Sequence, residues 1–184
     1  MIAIEKALLE ISKILDGESV PYMVIGGTAV LLWGGTRSTQ DIDVTVWVSD
    51  KDMPETVARL IKRMKTRVSD PSGHVRTNRV LPVDLPCGIP VDIIFGLLPI
   101  EETAIQNAQI KEIAGKSVRV CRVQDLLVHK ILSSRPRDIE DMRFLISRYG
   151  KTVDKGYLDQ EAENLARELA RPEILSNYRG CWKA

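Results

Sequence analysis

The stretch that decides the fold reads Tyr-Met-Val-Ile-Gly-Gly-Thr at residues 22–28 and Arg-Ser-Thr-Gln-Asp-Ile-Asp-Val at residues 37–44. The apolar run at 22–25 predicts a short buried strand. It ends at Gly26 and Gly27, which have no Cβ and can let the backbone approach a phosphate closely. A helix is predicted to follow, beginning at these glycines and ending near Trp33.

Two aspartates mark the start of a second predicted strand. Apolar residues alternate with polar ones from position 42 onward, so Asp41 and Asp43 fall on the same face of this strand. Burying unpaired carboxylates is costly, and a divalent cation is their natural partner. Magnesium is expected, because it prefers oxygen ligands and adds substrate phosphates to one or two carboxylates. A third carboxylate is expected nearby, and Asp92 lies in a short apolar run that predicts a neighbouring strand.

A later segment completes a recognisable pattern, because Lys130 is followed by Arg-Pro-Arg-Asp-Ile-Glu-Asp at residues 135–141. The strand, the Gly-Gly turn, the Arg-Ser-Thr-x-Asp-x-Asp motif and the later strand aspartate resemble the DNA polymerase β-like nucleotidyltransferase superfamily. With the later segment, the sequence resembles more narrowly the AbiEii-type toxins of bacterial abortive-infection and toxin–antitoxin systems. The resemblance covers residues 20–150.

The resemblance implies both a fold and a reaction. The expected fold is α/β (α+β), with a small mixed sheet flanked by helices and a helical C-terminal part. The expected reaction moves an NMP from an NTP to a hydroxyl and releases pyrophosphate. The resemblance further implies RNA, such as the tRNA 3′ end, as acceptor, a toxin role, and a cognate antitoxin as partner. Neither DNA nor a membrane is expected as a partner.

Five residues form the predicted catalytic set: Asp41, Asp43, Asp92, Lys130 and Asp138. Asp41 and Asp43 are expected to hold one or two Mg²⁺ ions, and Asp92 to bind the second ion and take the proton of the acceptor hydroxyl. The predicted nucleotide-binding set offers N–H groups, hydroxyls or charges to the phosphates: Gly26, Gly27, Thr28, Arg37, Ser38, Thr39 and Lys130. Either Ser38 or Thr39 supplies a hydroxyl, and Arg37 either contacts the triphosphate or neutralises the carboxylates.

Two charged residues fall inside the apolar stripes of predicted helices. Lys130 lies between Leu126 and Leu127 on its helical wheel, which favours an ammonium directed into a triphosphate pocket over a stem that only passes the core. Asp138 lies inside the apolar face of the next helix, so a simple interaction with the helix dipole does not explain its direction. Asp141, at the edge of that face, is expected to form an ion pair or to contact substrate.

Composition sets broader limits. The chain of 184 residues, with 44% hydrophobic residues and a net charge of +1, predicts one globular unit without a strong global field for nucleic acid. We divide it into a core at 1–122 and a helical part at 123–184. Its three cysteines lack zinc or disulfide spacing. With no apparent signal peptide or membrane span, the sequence predicts a soluble cytoplasmic protein.

The strongest positive concentration lies between Arg59 and Arg79. It is either a solvated helix face or a shelf for acceptor phosphates. An antibiotic-type nucleotidyltransferase would need an acidic pocket for a polycationic acceptor, so this stretch argues against that alternative. A non-catalytic nucleotide-binding regulatory module would be expected to lose its carboxylates, and all three are present.

Local signals give three further predictions. Asp50 is expected to cap a helix beginning near residue 52. A turn is predicted at residues 70–73. The prolines between residues 80 and 92 favour an edge hairpin or a rim loop over a central strand.

Overall fold

A computed structural model describes residues 3–36 and 38–183 of the chain. Arg37, which was predicted to contact the triphosphate or the carboxylates, lies outside the described residues. Contacts divide the chain into two compact units, one of residues 1–32 and 37–121 and the other of residues 33–36 and 122–184. Each unit is considered by itself.

The first unit contains a seven-stranded sheet with strand order β3-β4-β5-β2-β1-β7-β6. Its strands are β1 (Tyr22–Ile25), β2 (Ile42–Val46), β3 (Lys65–Thr66), β4 (Val80–Asp84), β5 (Pro90–Phe95), β6 (Gln109–Ile113) and β7 (Lys116–Val120). Its helices are α1 (Ala3–Gly17), α2 (Gly26–Leu32), α3 (Met53–Leu60), α4 (Pro71–Asn78) and α5 (Pro99–Gln106). The predicted mixed α/β fold is therefore confirmed.

Two pairings give the sheet its mixed character. Strand β2 runs antiparallel to β1 and parallel to β5, while β1 runs parallel to β7. All four residues of β1 are buried, as expected for a short apolar strand with a neighbour on each side. Helix α1 contributes the buried stripe Ala7, Leu8, Ile11 and Leu15 to the core of this unit.

The predicted turn at residues 70–73 is wrong, because α4 begins there. The Asp70 carboxylate accepts a hydrogen bond from the Gly73 N–H at 2.9 Å, and Pro71 occupies the first helical turn. Asp followed by Pro is therefore an N-cap with a first-turn proline rather than an isolated turn. Asp50 also does not cap α3, since its carboxylate pairs with Arg79 Nη1 at 2.6 Å.

The proline-containing segment forms a hairpin of β4 and β5 rather than a rim loop. Strand β4 is second from the edge, and the two-residue strand β3 covers only Val83 and Asp84. Beyond β3, the N–H of Arg67 donates to the carbonyl of Pro82 at 3.0 Å. Strand β5 lies inside the sheet and carries its proline at its first residue, where a strand tolerates it.

The second unit is helical. It consists of α6 (Val123–Ser133), α7 (Pro136–Tyr149), α8 (Lys155–Glu168) and α9 (Glu173–Cys181), and α9 was not predicted. Its core includes Leu126, Leu145, Leu158 and Tyr178, each 0% exposed. Within residues 3–36 and 38–183, no helix has the length and apolar character that crossing a bilayer requires.

Candidate active site

Two of the predicted catalytic carboxylates lie side by side on the sheet. Asp43 of β2 faces Asp92 of β5 in the parallel register, although 48 residues separate them in the sequence. Directly opposed residues of neighbouring strands project from the same face. Both side chains are only partly buried. The sheet therefore brings Asp43 and Asp92 together on one face with access to solvent.

The turn from β1 into α2 passes directly against Asp43. Ile25 is paired with Asp43, and the next residue, Gly26, has a φ of +63°, in the left-handed region that favours glycine. A Cβ at Gly26 would overlap the Asp43 carboxylate. Glycine is thus needed at this position for two independent reasons, and the backbone turn lies beside a candidate metal ligand.

Asp41 lies just before β2 and is exposed. Its Oδ1 accepts a hydrogen bond from Thr39 Oγ1 at 2.9 Å, and its carbonyl accepts one from Thr28 Oγ1 at 3.0 Å. The hydroxyls of Thr28 and Thr39, predicted to meet phosphates, therefore hold the segment that carries Asp41. Ser38 is exposed beside them.

Asp92 has a cationic neighbour that sequence reasoning did not assign to it. Arg67 Nη2 contacts Asp92 Oδ1 and also donates to the carbonyl of Val91 at 3.3 Å. Arg67 Nε lies 3.7 Å from Asp84 Oδ1. The sequence placed Arg67 only within a general basic stretch. The signal that could have singled it out is its spacing of two residues from Lys65 of β3, which places both cations on the face that carries Asp84.

Lys130 and Asp138 lie in the second unit and contact each other. Lys130 Nζ is 2.8 Å from Asp138 Oδ1 and 2.7 Å from Asp141 Oδ2, and all three side chains are at most 7% exposed. Asp138 Oδ2 also accepts hydrogen bonds from Ser133 Oγ at 2.7 Å and Arg135 Nε at 2.8 Å. The structure thus pairs the inward-facing Lys130 with two carboxylates. An ion pair was one of the two alternatives expected for Asp141.

The electrostatics of Asp138 follow from these contacts. Burial alone raises the pKa of a carboxyl group, because it penalises the charged form. Hydrogen bonds from Lys130, Ser133 and Arg135 outweigh burial here and lower the pKa of Asp138 to about 2. Asp138 is therefore ionised at neutral pH and forms part of a buried charge cluster between α6 and α7.

Residues 4–173 match the family described as nucleotidyl transferase of unknown function (DUF2204). The chain belongs to this family. A comparison with curated proteins finds no significant match.

Solved structures of nucleotidyltransferase-like proteins share the fold. One is an antigenic nucleotidyltransferase-like protein from Paracoccidioides brasiliensis, with TM-score 0.61 and 20% identity over 95% of this chain and 91% of that one. Another is the antibiotic-resistance factor ANT(2'')-Ia, with TM-score 0.57 and 17% identity over 96% of both chains. A third is JHP933 from Helicobacter pylori, with TM-score 0.52 and 15% identity over 96% of this chain and 78% of that one.

The carboxylates of this DUF2204 protein fit magnesium in donor chemistry. Asp43 and Asp92 offer oxygen ligands from one sheet face, with Asp41 just before the strand that carries Asp43. Magnesium completes such a site with water and substrate phosphates, so one or two protein carboxylates suffice. Across residues 3–36 and 38–183, no group of three or more His, Cys, Asp or Glu is arranged to hold a metal by itself.

Several arginines in the basic stretch of this family member lie close to carboxylates. Arg59 and Arg63 both approach the Glu18 carboxylate, at 3.9 and 3.3 Å. Arg79 pairs with Asp50 and donates to the carbonyls of Phe95 and Gly96. The shelf predicted over residues 59–79 is therefore not a continuous row of available cations.

Proposed function

We propose that this protein transfers an NMP from an NTP to a hydroxyl acceptor and releases pyrophosphate. The observation that carries the proposal is the pairing of Asp43 with Asp92 on one sheet face, beside the glycine turn at Gly26. Paired carboxylates next to a close-approaching backbone suit a metal-bound triphosphate. Membership of a nucleotidyl transferase family supports the same reaction.

Each carboxylate has a distinct role in this proposal. Asp41 and Asp43 would hold one or two Mg²⁺ ions, and Asp92 would be a ligand of the second. Magnesium bound there would supply positive charge against the triphosphate. Asp92 accepts the proton of the acceptor hydroxyl, whose oxygen forms a bond to the α-phosphorus as the bond to the β-phosphate oxygen breaks. Pyrophosphate leaves with that bonding electron pair.

The remaining predicted contacts are part of the proposal. Gly26 and Gly27 offer N–H groups to the phosphates. Of the alternatives Ser38 and Thr39, we assign the phosphate contact to Ser38, because the Thr39 hydroxyl donates to Asp41. A contact of Lys130 or Asp138 with the nucleotide stays a prediction. The two carboxylates around the Lys130 ammonium make a structural role the stronger expectation for it.

For the acceptor we propose RNA, such as the tRNA 3′ end, and an AbiEii-type toxin role with a cognate antitoxin in the cytoplasm. The motif resemblance supports this choice. A small-molecule acceptor is the second candidate, because ion pairing of Arg59, Arg63 and Arg79 weakens the charge argument against it. The fold shared with the antibiotic-resistance factor ANT(2'')-Ia makes that candidate worth testing.

The proposal is tested by incubating the protein with Mg²⁺ and each NTP, radiolabelled at its α-phosphate. Either total RNA or a panel of aminoglycoside antibiotics is supplied as acceptor. We expect label to transfer to RNA from the wild type and not from an Asp43→Asn variant of equal stability. Transfer only to the antibiotics would replace RNA with the second candidate. No transfer and no Mg²⁺-dependent NTP binding would contradict the proposed reaction and favour a non-catalytic module.

A further inference from the structure

We propose that Lys65 and Arg67 bind a phosphodiester of the acceptor next to its reactive hydroxyl, so that the Asp92 side of the face selects an anionic acceptor strand. This inference rests on the proposed function, because it takes Asp92 as the group that receives the acceptor proton. It narrows the acceptor to a single-stranded nucleic acid end and gives two residues the task of recognising it.

The sheet register aligns Arg67 with the carboxylates. Asp43 faces Asp92, and Asp92 faces Pro82 of β4. Pro82 in turn faces Arg67, whose N–H donates to the Pro82 carbonyl at 3.0 Å just beyond β3. Asp43, Asp92, Pro82 and Arg67 thus form one row across four neighbouring segments of the sheet, which we call the acceptor row.

Lys65 lies on the same face as the acceptor row. Its partner Asp84 is two residues from Pro82 on β4, so Lys65 projects from the face that carries Pro82. It is directly opposite Asp84 in the register of β3 and β4, and it is exposed. The Arg67 side chain reaches across the compact ring of Pro82 to Asp92, with Asp84 3.7 Å from its Nε.

Geometry ties this pair of cations to the acceptor. A general base must come within hydrogen-bond reach of the proton that it takes, so the acceptor hydroxyl must approach the Asp92 carboxylate. Groups that flank that hydroxyl then lie beside the Arg67 guanidinium, which already touches Asp92. In a nucleic acid strand that ends in a free 3′ hydroxyl, the nearest charged group is the phosphodiester of the same nucleotide. A guanidinium suits such a phosphate geometrically, whereas a polycationic acceptor would be repelled.

The local charge balance predicts when Lys65 and Arg67 attract a phosphate of the acceptor. Lys65 and Arg67 are opposed by Asp84 and Asp92, so the four groups sum to zero. Once Asp92 is engaged by a divalent cation, its carboxylate no longer neutralises Arg67, and the local field turns positive. We therefore expect the acceptor strand to bind more tightly in the presence of Mg²⁺.

The other arginines of the basic stretch do not share this position. Arg59 and Arg63 approach Glu18, and Arg79 pairs with Asp50. None of them belongs to the acceptor row as the register defines it. Of the cations in the stretch, Lys65 and Arg67 are the two that the sheet register aligns with the candidate site.

The test measures binding of a short single-stranded RNA that carries a 5′ fluorescein and a free 3′ hydroxyl, by fluorescence anisotropy over a range of salt concentrations. Mg²⁺ and a non-hydrolysable NTP analogue are present throughout. Each phosphate contact on a single strand contributes about 0.7 to the slope of log K against log salt concentration. We expect Arg67→Gln and Lys65→Gln each to weaken binding and to lower that slope, by about 0.7 where the contact with the phosphodiester is lost completely.

Two further variants sharpen the test. Lys13→Gln removes an exposed lysine of α1 that is outside the acceptor row, and it should leave the slope unchanged. Asp84→Asn removes one of the two carboxylates that compete for Arg67, and it should tighten binding. Thermal unfolding of each variant confirms that its fold is intact.

The inference is overturned if the wild type does not bind this RNA, if both Gln variants keep the wild-type slope, or if Lys13→Gln lowers it equally. Its failure is separable from failure of the proposed function. Binding of the NTP in the presence of Mg²⁺, and its loss in Asp43→Asn, is measured by calorimetry without any acceptor and tests the proposed reaction alone.

Discussion

Replacing Lys130 by Met should destabilise the protein strongly, because it removes the cation from a buried charge cluster. Lys130 Nζ lies 2.8 Å from Asp138 and 2.7 Å from Asp141, and the three side chains are 5%, 2% and 7% exposed. Removing one partner of a buried pair costs about 3–5 kcal/mol, because the remaining charges stay desolvated. With a urea slope of about 1–3 kcal/mol per molar, the unfolding midpoint should fall by roughly 1–5 M.

The destabilisation should depend on pH, which distinguishes the loss of a buried cation from a simple packing defect. The pKa of Asp138 is lowered to about 2, so its stabilising contribution is present above its unfolded pKa of 3.8 and is lost as pH falls toward 2. Without the hydrogen bond from Lys130, burial should raise the pKa of Asp138. Protonation of this carboxyl group would then remove an unpaired buried charge from the variant. The difference in free energy of unfolding between wild type and variant should therefore shrink between neutral pH and about pH 4.5.

The assay is urea unfolding followed by circular dichroism at both pH values. Lys155→Met is the matched control, because Lys155 pairs with Asp159 at 2.7 Å while both side chains are about half exposed. An exposed pair of this kind contributes about 0.2–1 kcal/mol. A deficit for Lys130→Met no larger than that of Lys155→Met, or one that does not change with pH, would refute the cluster argument.

The remaining predictions concern the first unit. Triphosphate binding should require Mg²⁺ and be lost in Asp41→Ala, and calorimetry that finds equal affinity with and without Mg²⁺ would contradict this site. Asp92→Asn should bind triphosphate almost normally while kcat falls by about 100-fold or more, since a general base acts in the transition state; steady-state kinetics with unchanged kcat would remove Asp92 from that role. Gly26→Ala should lower both triphosphate affinity and melting temperature, because its Cβ would meet the Asp43 carboxylate; a variant with wild-type values in both measurements would show that this close approach is unimportant.

Local signals in the sequence predict much of the first unit. Strand β1 spans Tyr22–Ile25 as expected, because its apolar run is bounded by a proline and a glycine. Helix α2 is also found where it was predicted, beginning at Gly26 and ending at Leu32. Both elements depend on neighbouring residues only. Asp70 shows the limit of this reasoning, since the same Asp-Pro dipeptide is compatible with a turn and with a capped helix, and only continuation of the chain decides between them.

Partners that come from distant parts of the chain are harder to predict. A helical wheel correctly indicates that Lys130 and Asp138 point inward, and both are buried. A wheel does not show whether an inward charge meets a ligand or another side chain, because that depends on how two helices pack. Here the crossing of α6 and α7 places Asp138 and Asp141 around the Lys130 ammonium. The predicted triphosphate contact of Lys130 competes with this arrangement.

The basic stretch illustrates the same limit for electrostatics. Summing charges along residues 59–79 predicts a positive surface, but the field at a point depends on which carboxylates the fold brings near each cation. Glu18 directly follows α1 and Asp50 lies in the loop before α3, and they engage Arg59, Arg63 and Arg79. Arg67 differs because its partners are themselves on the face of the candidate site, so any group that binds Asp92 also changes the charge that Arg67 presents to an acceptor.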